Sequence, residues 1–404
     1  MIFSIVIPAL NEEKAVQDIL RRCHAAAKGE LAEPGLGVDE VEIILVNDGS
    51  RDATSRLARE VAGVRVIDHP KNRGYGAAIK TGFEAAKGEW LGFIDCDGTC
   101  DPRFFAELIG LAKRENLDIA CGSRMHSASR MPPVRVLGNW LYRTLVNVLA
   151  GTAVTDVASG MRILKRASMP RIYPLPDGLN FTPAMSVRAV LDTHLRIGEL
   201  PMPYEERVGR SKLSVVKDGF RFLSVILDTA VTYRPLFFFW AGAVVLAALA
   251  LWALGCRWGA PAAPLPYYLE NGRLEDWMLF RVALAALWLS IAAFLTALGA
   301  VTQSLTAIIN RDAHARPLEA FAEAVVGKRF LWWGFAALGL GIALNRRPLD
   351  AYFSTGHIPN DYWVFPLVGG LCALVGAELV AFGLVGRVVR LLAERERARD
   401  ALNP

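Results

Sequence analysis

The chain has 404 residues, of which 53% are hydrophobic and only 21% charged, with a mean hydropathy of +0.30. That is too apolar for a disordered chain and too apolar for one ordinary soluble domain, and the length allows two or three domains. The net charge of +5 is mild for this size and does not point to nucleic acid, and six cysteines with no CxxC pair indicate neither a disulfide framework nor a zinc site.

In chain order, strands are predicted at 3–8, 41–48, 64–68, 89–97 and 117–123, with helical patterns at 12–28, 52–62, 75–87, 102–115 and 134–150 between and after them. Alternating strands and helices, with strands that are almost continuously apolar, predict a mostly parallel α/β sheet covered on both faces. In such sheets ligands bind beyond the carboxyl ends of the strands. Polar groups gather there: Asn11 and Glu12 after the first strand, Asp48 ending the second, Asp95 and Asp97 ending the fourth, and Arg124 after the fifth. Two carboxylates one residue apart at a strand end suit an oxygen-loving cation, Mg²⁺ or Mn²⁺, bridging a diphosphate. The run 72–78 (NRGYGAA) has Ile79 where the third glycine of a dinucleotide fingerprint belongs, so it reads as a tight turn bringing a helix N-terminus to the site. Asp156 fits a buried structural carboxylate and a site carboxylate equally well. Arg207, Ser211 and Lys212 crowd a segment suited to phosphate capture, or to ordinary juxtamembrane charge.

Residues 211–233 carry Lys217 and Arg221 with Phe220, Leu223 and Leu227 elsewhere round the turn. This predicts an amphipathic helix, lying in a membrane interface or packed on the soluble domain. Beyond Pro235 the chain becomes long, nearly uncharged runs at about 235–256, 282–309, 330–345 and 364–386. Four spans are expected, the third being short at 16 residues, about 24 Å of helix. The opening MIFSIVIPALNEE lacks the features of a signal peptide. Loop charges agree with a cytoplasmic N-terminal half and cytoplasmic termini: nine Lys or Arg fall on the inner side after the second and fourth runs, against Arg257, Arg273, Arg346 and Arg347 outside. Glu378 lies inside the fourth run, where an ionisable group needs a partner or water. It is expected either to bond Gln303 on an antiparallel second run, within the bundle or between copies of the chain, or to reach the inner interface.

The segments IVIPALNEE, VNDGSRDAT, NRGYGAAIKTGFEAAKGEWLGFIDCDG, ACGSR, TDVASGMRIL and LPMPYEERVGRSKL, in this order, resemble the family 2 glycosyltransferases of GT-A fold. The resemblance is closest to polyprenyl-phosphate glycosyltransferases akin to dolichol-phosphate mannose synthase, and runs through about residues 1–233. It implies a GT-A domain over 1–210, to which the charge and apolar patterns above add an interface helix over 211–233, a transmembrane domain over 234–390 and a basic tail over 391–404. It implies inverting transfer of one sugar from a nucleotide sugar to a membrane polyprenyl phosphate. Residue by residue, it implies that Pro8, Asn11, Glu12 and Asp48 hold the nucleotide, and that Asp95 and Asp97 manage the metal and diphosphate. Arg124 and Arg135 would meet the acceptor phosphate, Arg207, Ser211 and Lys212 would clamp phosphates, and Asp156 would lie beside the acceptor. The chain departs from many relatives in having Asn47-Asp48 for a pair of aspartates and Thr99 for a glutamine, and it has no QxxRW sequence of the processive synthases. Competing readings are transfer to another membrane lipid such as diacylglycerol, and a non-catalytic membrane scaffold that keeps the fold.

Overall fold

The computed structural model describes all residues except 126–132, 193, 206–214, 258–260, 310–328, 360–361 and 403–404. The chain divides into two compact units, Met1–Ala230 and Val231–Pro404.

The first unit is built on seven strands, β1 (Ile2–Ala9), β2 (Glu40–Asn47), β3 (Val64–Asp68), β4 (Trp90–Phe93), β5 (Ile119–Ser123), β6 (Arg162–Lys165) and β7 (Ile197–Pro201), in the order β3-β2-β1-β4-β6-β5-β7. Only β6 runs antiparallel, between β4 and β5. The expected mostly parallel sheet is present. Its apolar strands feed two cores: Phe3, Ile5 and Ile7 of β1 face one side, with α1 (Val16–Lys28) and α4 (Phe104–Arg114). Val6 faces the other, with α3 (Tyr75–Ala85) and α7 (Phe181–Leu191). Period-two alternation within one fully buried strand thus supplies both layers. The short helices α2 (Thr54–Arg59) and α6 (Met169–Ile172) complete this set. The sequence reading missed β6 and β7, whose apolar runs are short and interrupted by Arg162 and Glu199.

Two longer helices finish the unit. α5 (Pro133–Ala150) leaves Val134, Leu137, Trp140, Leu141 and Val148 exposed. α8 (Val215–Tyr233) buries Phe222, Ile226, Thr229 and Ala230 while Phe220 stays exposed. Tyr142 on α5 donates to the Gly219 carbonyl of α8 at 3.0 Å and stacks edge-on against Phe222. So α8 packs on the first unit through Gly219, Phe222 and Val225, and Phe220 lies off that face.

The second unit is helical: α9 (Pro235–Gly255), α10 (Pro264–Asn271), α11 (Asp276–Ile309), α12 (Phe330–Thr355) and α13 (Val364–Leu402). Three helices among the described residues are long and apolar enough to cross a membrane: α9, α11 through Thr306, and α13 through Val389. The expected third run forms a 26-residue helix, α12, but Arg346, Arg347 and Asp350 make its second half too polar to join that set. α12 nevertheless lies antiparallel along α13. Added methyl carbons at Gly334 and Gly341 would come within 2.8 Å and 2.7 Å of the carbonyl oxygens of Gly376 and Gly369. Small residues permit that close approach.

Within the chain, Glu378 does not meet Gln303. Its Oε1 accepts from the Ser290 hydroxyl at 3.3 Å, and Phe294 stacks on Phe382 one turn along. Contacts that advance together on both helices mean that α11 and α13 run parallel, as the second and fourth members of an up-and-down series must. Gln303 therefore sits 13 residues, about 20 Å, beyond the level of Ser290.

Candidate active site

The carboxyl ends of β1, β2 and β4 open into a cavity of about 470 Å³, with α5 and α8 on its other side. Pro8 and Glu12 line it from the end of β1, Asp48 from β2, Asp95 and Asp97 from β4, Arg124 from β5 and Arg135 from the first turn of α5. Asn11 turns to the neighbouring loop, where its Oδ1 accepts from the Arg51 amide at 2.8 Å. Arg207, Ser211 and Lys212 lie outside the described residues.

Asp48 is buried and organises the wall of the cavity. Its carboxylate accepts from the amides of Arg73 at 2.8 Å and Gly74 at 2.9 Å, and bonds His69 Nδ1 at 2.8 Å. The turn it holds requires a glycine. Gly74 has φ of 110°, and a methyl there would lie 2.4 Å from the Asp177 carbonyl. The turn launches α3 with Tyr75 as its first residue.

Tyr75 donates to Asp95 Oδ1 at 2.6 Å. Burial and the neighbouring Asp95 charge push the Tyr75 phenol well above its ordinary value, so it remains a donor across the physiological range. On the other side of Asp95, a methyl on Gly160 would lie 2.1 Å from Oδ2, so only glycine lets the 156–160 loop approach. Asp97 is oriented in the same manner: Thr99 donates its amide at 3.1 Å and its hydroxyl at 2.7 Å to Oδ1. Thr99 therefore acts as a donor to the carboxylate, in place of the weak metal ligand its position suggests.

Asp156 does not line the cavity; it stands behind Arg124. Its fully buried carboxylate accepts from the Arg124 amide, Nε and Nη2 at 3.0, 2.7 and 2.9 Å, and from Asn139 Nδ2 at 3.1 Å. Desolvation raises the carboxyl's pKa, but the Arg124 charge and these bonds outweigh it and hold the group below its ordinary value. Arg124 in turn lies 5.6 Å from the centre of the Tyr204 ring. The cavity also takes Tyr75, Tyr142, Tyr204 and Arg221, which sequence reasoning did not assign to the site. The Gly-Tyr-Gly turn was the one available signal for Tyr75; Arg221 read as a charge on an amphipathic helix.

Among the described residues no three His, Cys, Asp or Glu side chains gather closely enough to hold a metal by themselves. What the protein offers is the oxygen pair of Asp95 and Asp97. A hard cation commonly takes one or two carboxylates and completes its shell with substrate phosphates and water.

Residues 4–172 match the family description "Glycosyl transferase family 2". The chain is 30% identical over 262 residues to the low-salt glycan biosynthesis hexosyltransferase Agl6 of Haloferax volcanii, covering 63% of this chain and 59% of that one. It is 32% identical over 275 residues to the undecaprenyl-phosphate 4-deoxy-4-formamido-L-arabinose transferase of Pseudomonas fluorescens, covering 64% and 74%. It is 28% identical over 217 residues to the dolichyl-phosphate hexose transferase of Haloferax volcanii, covering 54% and 88%. With three-quarters of the second of these spanned at that identity, and the sheet and strand-end cavity in place, the chain belongs to glycosyl transferase family 2.

Proposed function

We propose that the protein is a membrane-bound glycosyltransferase that moves one sugar from a nucleotide sugar to a polyprenyl phosphate, with inversion. The observation that carries this reading is that one cavity brings the Asp95–Asp97 pair together with the guanidinium-bearing Arg124, Arg135 and Arg221. Anion-binding and cation-binding side chains in one cavity suit a diphosphate donor meeting a phosphate acceptor. The exposed apolar residues of α5, a helix that lines the same cavity, favour a lipid acceptor over a soluble one. The similar proteins of known name include transferases to undecaprenyl and dolichyl phosphate.

The reaction forms a bond between an acceptor phosphate oxygen and the anomeric carbon as the bond from that carbon to the donor diphosphate breaks, and the nucleoside diphosphate departs. The acceptor needs no strong general base, because a phosphate monoester with a second pKa of about 6 is largely ionised at neutral pH. Pro8 and Glu12 would bound the nucleotide, with Asp48 holding the turn beside it. Arg135 and Arg221 would receive the acceptor phosphate, while Asp156 keeps Arg124 extended along the wall. A divalent cation on Asp95 and Asp97 would neutralise charge on the leaving diphosphate. Arg207, Ser211 and Lys212 remain assigned to phosphate capture on the strength of the sequence alone. The distribution of Lys and Arg between the loops supports a cytoplasmic site-bearing unit and cytoplasmic termini.

Purified full-length protein should transfer labelled sugar from a panel of nucleotide sugars to undecaprenyl or dolichyl phosphate and leave diacylglycerol unmodified. Asp97→Ala should lower turnover by about 10²–10³. EDTA should stop wild type, and Mg²⁺ or Mn²⁺ should restore it. Transfer to diacylglycerol alone, or full activity in EDTA, would overturn the acceptor or the metal assignment respectively.

A further inference from the structure

Asp95 is clamped from two directions by parts of the chain that are distant in sequence. The Tyr75 hydroxyl bonds Oδ1 at 2.6 Å, and Gly160 approaches Oδ2 so closely that a methyl there would lie 2.1 Å from it. Tyr75 heads α3 on a turn that Asp48 fixes through the amides of Arg73 and Gly74, and the phenol reaches across to the next strand end but one. Gly160 belongs to the loop that Arg162 braces from beneath, its Nε donating to the Ser159 carbonyl at 3.1 Å and its Nη2 to the Val157 carbonyl at 2.9 Å. A hydrogen bond to a charged carboxylate is about twice as strong as a neutral one, and a bond of this length removes the freedom of the side chain to rotate. Groups that orient a metal-binding carboxylate in this manner commonly change metal affinity by 10–100-fold when removed.

We propose that Tyr75 is a positioning residue whose hydroxyl sets the direction in which Asp95 presents its carboxylate to the donor's divalent cation. The inference rests on the metal-assisted transfer described above. It differs from an assignment of Asp95 itself, because the hydroxyl would act only through that carboxylate. The arrangement makes Asp48 the anchor of a relay: Asp48 fixes the turn, the turn fixes Tyr75, and Tyr75 fixes Asp95.

The test is Mn²⁺ binding followed by electron paramagnetic resonance on the full-length protein in detergent, with UDP and with GDP as the accompanying diphosphate. Tyr75→Phe removes one oxygen and leaves the ring in place, and thermal unfolding of the variant should match wild type. Its Mn²⁺ dissociation constant should rise about 10-fold or more, while KM for the lipid phosphate stays within twofold. Gly160→Ala, which crowds Oδ2 instead, should weaken Mn²⁺ binding in the same direction. Wild-type protein that binds no Mn²⁺ with either diphosphate would overturn the metal reading and this inference with it. Wild-type protein that binds, with Tyr75→Phe binding equally well, would overturn the role of Tyr75 alone.

Discussion

The Arg124–Asp156 pair carries the heaviest local electrostatic demand of the site. Asp156 is fully buried and Arg124 nearly so, 0% and 14% exposed at the side chain, and removing one member of such a pair strands the other charge. Asp156→Ala should destabilise the first unit by about 3–5 kcal/mol, read by chemical denaturation. The pH dependence follows from the direction of the shift. A carboxyl held below its ordinary value of 3.8 contributes stability that is present above that pH and lost as the pH falls toward the folded-state value. The stability gap between wild type and Asp156→Ala should therefore be constant near neutrality and narrow below about pH 4. A gap unchanged at pH 3 would show that Asp156 does not ionise against Arg124.

Helices in the second unit are tied by polar contacts that apolar patterning does not reveal. Arg281 near the start of α11 donates to the Ala253 carbonyl at 2.6 Å and also to that of Cys256, capping the end of α9. Farther along, Ser290 meets Glu378, while Gln303 and Glu378 each keep a buried oxygen without a hydrogen-bond partner. In a double-mutant cycle, Ser290→Ala and Glu378→Leu should be coupled by about 0.6–1.7 kcal/mol, the range found between membrane helices. Gln303→Leu and Glu378→Leu should be additive. Coupling of Gln303 with no coupling of Ser290 would reverse the parallel arrangement of α11 and α13.

For the molecule as a whole, three helices of spanning length, with α12 returning beside α13, and the expected inner excess of Lys and Arg lead to predictions about solubility and sidedness. The protein should resist extraction by alkaline carbonate and dissolve in detergent. A reporter fused after Pro404 should be active on the cytoplasmic side, and a cysteine introduced beside Arg273 should react with impermeant reagent from outside. Labelling of that loop only after permeabilisation would reverse the topology. The short apolar stretch of α12 adds a quantitative point. Sixteen residues give about 24 Å, so α12 would need its polar second half to stay wet, or a thinned bilayer, to cross beside α13.

The α/β sheet, its first five strands, the apolar helices and most of the charged residues that line the cavity were legible in the sequence. Each is written locally, as a buried strand's apolar run, a glycine turn or a polar cluster at a strand end. Asp95 and Asp97 were legible because they directly follow such a run. β6 and β7 were not, since these short strands carry Arg162, which donates to the Val157 and Ser159 carbonyls, and Glu199, which accepts from Thr155 and Asp156. The tertiary structure alone decided which carboxylates face the cavity and which stand behind it. Asp48, Asp95 and Asp156 are the same chemical group at similar strand-end or loop positions, yet one holds a turn, one lines the site and one holds an arginine. A side chain's role depends on which donors arrive within about 3 Å of it. The donors that set these roles come largely from residues 17 to 32 positions away, a separation that no local pattern encodes.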